Sequence, residues 1–143
     1  MACLVRALMC LGAVLALGLR AADAQSGVRR WQAPQRTALP PVLDGALDDP
    51  CWGEALSIAD FHRLGRTAQT PGEALPATRA LLTWDAQALY IAFDCREPLA
   101  SALLTKVSDH DGPVWSDDSI EVFLDPAGTR QGFVQVAVNA AGV

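Results

Sequence analysis

The chain has 143 residues, 51% apolar and 19% charged, with a formal charge of −5. That length fits one ordinary domain, and the apolar half excludes a disordered polar chain. The acidic balance argues against a nucleic-acid partner, because a phosphate-reading surface needs clustered Lys and Arg.

The first segment reads as an export signal. Arg6 precedes 13 uncharged residues, Ala7 to Leu19, and Ala22 and Ala24 place small residues at the −3 and −1 positions of a cleavage site. The run is too short to span a bilayer, which takes ~20 apolar residues, so no membrane span is expected. Residues 1–24 are therefore expected to be a signal peptide cut after Ala24, giving a secreted or periplasmic protein. Cleavage leaves 9 basic and 15 acidic residues and two cysteines, Cys51 and Cys95. An oxidising compartment favours joining them as a disulfide; the alternative is two buried thiols acting as small hydrophobes.

Residues 25–40 carry arginines and prolines without an acid and read as a linker or edge-strand lead-in. Asp44-Gly45 signals a turn. Asp48-Asp49-Pro50 then reads as a helix start, with Trp52, Ala55 and Leu56 on one apolar face and Trp52 as a core anchor. Residues 63–76, rich in Gly and Pro, read as loop.

From Thr78 the period changes to two. Thr78 to Trp84 and Leu89 to Cys95 flank Asp85–Ala88, which predicts a hairpin. A weaker strand is expected over Ala102 to Val107. Ser119 to Leu124 sets Ile120, Val122 and Leu124 against Glu121 and Phe123; Phe133 to Asn139 sets three valines against Gln135 and Asn139. The resulting expectation is an all-β antiparallel sandwich over residues 41–143 with one short N-terminal helix, incomplete at its C-terminus.

Enzymatic signatures are absent from this segment: there is no Gly-x-Ser-x-Gly, phosphate loop, His-Glu-x-x-His or Cys-x-x-Cys. Its two histidines, His62 and His110, both fall in polar loop sequence. A glycosidase needs carboxyls ~5–5.5 or ~6.5–9.5 Å apart, whereas Asp117 and Glu121 on one strand would stand ~13 Å apart. A Met/His haem site is excluded because both methionines, Met1 and Met9, leave with the signal. Sugar binding needs no nucleophile. An aromatic face stacks on ring C–H groups, and carboxylates or amides take the hydroxyls. Trp115, just before a strand, with Glu121 on that strand and Gln135 and Asn139 on the next, supplies these groups if the strands are antiparallel neighbours.

Four ordered stretches carry a resemblance to a known family. They are Pro41-Val-Leu-Asp-Gly-Ala-Leu-Asp-Asp-Pro-Cys-Trp-Gly-Glu-Ala55, then Thr83-Trp-Asp with Leu89-Tyr-Ile-Ala, then Trp115-Ser-Asp-Asp-Ser-Ile-Glu-Val-Phe-Leu-Asp125, then Val138-Asn139. Together they resemble carbohydrate-binding module family 9. The resemblance implies a non-catalytic β-sandwich attached to a secreted polysaccharide-degrading enzyme such as a xylanase, holding chain-end sugars between two tryptophans. Trp115 is similar to the first of these, and Glu121 and Asn139 to sugar hydroxyl contacts. The second tryptophan and a linked C-terminal domain are expected beyond Val143. Where the family carries an arginine two residues before the asparagine, this chain has Ala137. The family often binds calcium, so a structural calcium is a further expectation, with Asp109, Asp111, Asp117 and Asp118 as candidate ligands in an acidic stretch free of Lys and Arg. No other cofactor is implied. The competing expectation is a structural or sensory module that keeps the fold without a sugar site.

Overall fold

A computed structural model describes residues 2–7, 32–61 and 77–143, which fall into two compact units, Ala2–Cys95 and Arg96–Val143. The described elements are almost all strands, in two sheets, with one short helix. The chain is all-β.

In the first unit the sheet is organised on the expected hairpin, β4 (Thr78–Trp84) and β5 (Leu89–Cys95). Their antiparallel register pairs Leu81 with Ala92, Thr83 with Tyr90 and Trp84 with Leu89. Asp85 fixes the connection. Its Oδ1 accepts from the amides of Gln87 and Ala88 at 2.7 and 2.8 Å, and its Oδ2 from the Tyr90 hydroxyl at 2.9 Å. Those bonds, led by the Gln87 amide, hold the Asp85 carboxyl below its usual range.

Along its other edge β4 takes two short strands. β2 (Gln35–Arg36) runs parallel to Thr83–Trp84, and β3 (Leu56–Ile58) runs antiparallel to Ala80–Leu82. Part of the Arg- and Pro-containing lead-in thus belongs to the sheet. The Trp84 indole donates to Pro34 O at 3.0 Å, and the Arg36 guanidinium lies 5.6 Å from the Trp84 ring centroid. On the far side, β1 (Ala2–Ala7) pairs antiparallel with β5. β1 coincides with the start of the expected signal peptide. The cleavage site after Ala24, residues 8–31, His62 and the loop 63–76 lie outside the described residues.

β5 is buried on both faces, Tyr90 and Ala92 on one and Ile91 and Phe93 on the other. Helix α1 (Pro50–Gly53) covers the first of these, packing Cys51 and Trp52 against Leu81, Ala88, Tyr90 and Ala92. Trp52 is the expected core anchor. The helix is shorter than its apolar spacing predicts. It ends at Gly53, and Leu56 joins β3 because the free edge of β4 offers its backbone a ladder. Asp44 shapes the preceding turn by accepting from the Ala46 amide at 2.9 Å, with Gly45 at φ 85°.

The expected disulfide does not form: Cys51 and Cys95 are both thiols. Cys51 packs on the Tyr90 and Ala92 face, whereas Cys95 shares the parity of Ile91 and Phe93 and points from the opposite face of the sheet. A bridge would have to pass through β5. Burial raises both thiols above their ordinary range.

The second unit contains a two-stranded antiparallel sheet, β6 (Ser119–Leu124) and β7 (Val134–Asn139). Two 3-10 turns precede it, at Ala100–Ala102 and Val114–Ser116. No strand forms over Ala102–Val107. The amides of Leu104 and Val107 are instead taken by the carboxylates of Asp118 and Asp117, at 2.7 and 2.8 Å. Backbone donors satisfied by side chains have nothing left for a neighbouring strand on that side.

Candidate functional site

The residues singled out from the sequence converge on the β6–β7 hairpin and the turn before it. The register places Ser119 opposite Asn139, Glu121 opposite Ala137 and Phe123 opposite Gln135, so all six share one face. The other face carries Ile120, Val122 and Leu124 with Val134, Val136 and Val138. The two strands are antiparallel neighbours, as the site requires.

Trp115 sits on a firm mount. Val114, one residue earlier, is buried, while the Trp115 side chain is 64% exposed. The turn is tied by the Ser116 amide and hydroxyl, which both donate to Pro113 O at 3.0 and 2.8 Å, and by the Asp117 amide donating to Val114 O at 3.1 Å. It packs against both β6 and β7. An indole left largely in water on a fixed backbone is available to a ligand.

Glu121 and Gln135 form a diagonal cross-strand pair, Gln135 Nε2 donating to Glu121 Oε2 at 3.0 Å, with both side chains exposed. The pair depends on Ala137. A long side chain directly opposite Glu121 would compete for its carboxylate, and the alanine leaves it to Gln135. After this bond the carboxylate still has free acceptor positions and the amide a second donor.

Asn139 occupies a different environment, at 1% exposure. Its Nδ2 donates to Val107 O at 2.9 Å and to Asp117 Oδ2 at 3.0 Å. Its Oδ1 accepts from the amides of Ala141 and Val143 at 3.1 and 3.0 Å. Two donors and two acceptor positions are all a carboxamide has. Asn139 therefore joins the segment before the turn, the turn itself and the chain after β7, at the covered end of that face.

The acidic candidates are dispersed. Asp117 Oδ2 receives Val107 and Asn139, and the Val107 amide leads the interactions that lower its carboxyl below the usual range. Asp118 Oδ2 receives Leu104. Asp111, in the left-handed region at φ 61°, pairs with His110 at 3.1 Å in open solvent. Asp109 contributes its carbonyl to the Gly112 amide, and a Cβ on Gly112 would come within 2.8 Å of that oxygen and of Val107 Cγ1. Among the described residues no three His, Cys, Asp or Glu side chains converge as a metal cage would require. One Asp117 oxygen, Oδ1, is buried without a hydrogen-bond partner.

Two features escaped the sequence reading. Asn139 was legible as a polar strand residue, but its burial depends on what lies over it. The second is an aromatic pair: Phe123 and Phe133 meet edge to face with centroids 5.2 Å apart, both exposed, on the face that carries Glu121 and Gln135. The odd parity of Phe133 with Gln135 was the available signal.

Such a face offers exposed ring surface beside hydrogen-bonding groups. The model of the family described as carbohydrate family 9 binding domain-like matches residues 43–139, more than half the chain, and the chain belongs to that family. No curated protein and no solved structure matches it.

Proposed function

We propose that the chain binds a carbohydrate on the β6–β7 face without cleaving it. Trp115 stacks on a sugar ring, and the Glu121–Gln135 pair takes hydroxyls beside it. The observation that carries the reading is the indole: 64% exposed, on a turn whose neighbouring residue is buried and whose backbone is closed by three hydrogen bonds. Ring stacking supplies the apolar contact, and a carboxylate with an adjoining amide supplies both acceptor and donor for a hydroxyl. Asn139 acts as a positioning residue: one of its four side-chain hydrogen bonds ties down Asp117 at the end of the turn that presents Trp115, and the others fix the segment before it and the chain after β7.

The wider reading is of an exported module of a polysaccharide-degrading protein, cut after Ala24. That cleavage would also remove β1 and release the outer edge of β5. Mass spectrometry of the exported protein tests it by the identity of the first residue.

Titration with xylo- and cello-oligosaccharides tests the binding itself. Saturable binding is expected, weakened at least tenfold by Trp115→Ala with little change in melting temperature, because the side chain is exposed. One observation favours a second reading, a module that keeps the fold without a sugar site: Ala137 stands where the resemblance places a sugar-contacting arginine. Absence of saturable binding at millimolar sugar would decide for it.

A further inference from the structure

We propose that Phe123 and Phe133 form a second apolar platform, so that the ligand is an oligosaccharide lying along the β6–β7 hairpin and not a single terminal ring. This rests on the carbohydrate reading of the same face. Phe123 is 55% and Phe133 65% exposed, and their rings meet at an interplanar angle of 68°. One ring thus braces the other edge-on, fixing both in place while leaving ring surface open to solvent. Phe123 lies directly opposite Gln135 and two residues beyond Glu121, hence on the same face as the acid–amide pair.

The order along the hairpin gives the site its length. The Trp115 turn precedes Ser119 and is tied through Asp117 to Asn139, at the end of the hairpin where those two residues pair. Glu121 and Gln135 come next. The phenylalanines stand near the other end, where Leu124 meets Val134. From Ser119 to Phe123 a strand advances ~13 Å, longer than one pyranose ring. A single sugar over Trp115 could use the acid–amide pair and would leave the phenylalanines in water. A chain of two or three rings would reach them.

The chemistry selects sugar over protein as the occupant. A Phe side chain offers at most ~250 Å², and at these exposures the pair presents below ~300 Å², far less than the ~800 Å² each partner buries in a stable protein interface. The platform is also continuous with an acceptor and donors suited to hydroxyls. An alternation of aromatic and polar groups along one face matches a chain whose rings alternate C–H faces with hydroxyl rims.

A length series of xylo- and cello-oligosaccharides, from one ring to six, tests the proposal on the whole chain by calorimetry. The expected result is affinity that climbs from one ring to about three and then levels off. That climb should fall ~3–10-fold in Phe123→Ser/Phe133→Ser, as loss of about one aromatic contact gives. Phe133→Leu, which keeps apolar bulk but removes the ring face, should lose most of the same gain, and circular dichroism confirms that each variant is folded. If the parent protein gains nothing from added rings, or both variants keep the full gain, the platform is refuted while Trp115-dependent binding stands. If the double variant alters self-association by light scattering instead of length dependence, the pair is a protein contact and the proposal fails. No binding at any length defeats the carbohydrate reading itself.

Discussion

Replacing Asn139 with alanine removes the centre of the second unit without touching its exposed face. Four hydrogen bonds disappear, stranding Val107 O and the amides of Ala141 and Val143, while Asp117 Oδ2 keeps the Val107 amide. Each net bond contributes ~1 kcal/mol and some stranded groups rehydrate, so a loss of ~2–4 kcal/mol is expected. At ~4–8 °C per kcal/mol for a small domain, that is a fall of roughly 10–30 °C in melting temperature. Asn139→Asp sharpens the test. It keeps the acceptor for Ala141 and Val143 but sets a second carboxylate 3.0 Å from Asp117 Oδ2. Like charges raise the pKa of one member of the pair in the folded state, so the folded form binds more protons than the unfolded one. The variant should therefore lose stability as the pH rises through that raised value and approach the parent on acidification. Thermal melts from pH 4 to 8 read both effects. If Asn139→Ala melts within about 3 °C of the parent but no longer binds sugar, Asn139 acts on the ligand and its scaffolding role is refuted.

Acid should destabilise the parent protein through three aspartates whose folded-state pKa is lowered, chiefly by the amides of Gln87 for Asp85, Val107 for Asp117 and Arg130 for Asp125. Their contribution is complete above the ordinary value of 3.8 and is lost as the pH falls through the lowered values. Asp85→Asn should flatten that decline, and an unchanged acid slope would count against it. Removing the Asp85 side chain with alanine should lower stability at neutral pH by ~1–3 kcal/mol, since three donors lose their acceptor, as chemical denaturation would show. Dithiothreitol should leave the melting temperature unchanged, and native-state thiol labelling at Cys51 should be slow; a shift on reduction would revive the disulfide.

The hairpin of β4 and β5 was legible because strict alternation, a turn aspartate and matched lengths all specify the same register. The partnership of β6 and β7 was legible for the same reason. Three features were not, each for a tertiary cause. The helix stops at Gly53 because Leu56–Ile58 finds an open strand edge, a competitor invisible in the local spacing. Ala102–Val107 has strand-like composition, but Asp117 and Asp118, 10 and 14 residues from Val107 and Leu104, claim their amides. The cysteines looked pairable because their even number and an expected oxidising compartment favour a bridge, whereas the pleat decides which face each one occupies. Trp115, Glu121 and Gln135 are exposed in the structure, and the burial of Asn139 emerged only when Val107, Asp117 and Val143 were in place around it.

The motif from Trp115 to Glu121 thus divides into two kinds of residue. Asp117, Asp118 and Asn139 on the next strand all hold backbone amides, and Asn139 also donates to Asp117. Their loss would undo the turn whatever the ligand. Trp115 and Glu121 hold up little of the fold and face solvent. Residues of the first kind are needed by any chain that builds this turn, with or without a ligand, so family membership alone leaves the ligand open. Discrimination falls to positions beside the motif. Ala137, opposite Glu121, sets whether that carboxylate faces a cation or the amide of Gln135. With arginine there, a sugar hydroxyl would meet a charge-assisted donor; with Gln135 it meets a neutral one, and neutral hydrogen bonds are roughly half as strong. Ala137→Arg should therefore pull Glu121 away from Gln135 and tighten sugar binding if the indole is already a sugar platform. If Trp115 serves no sugar, the added guanidinium should produce no binding at all, because a donor without a stacking face cannot orient a ring.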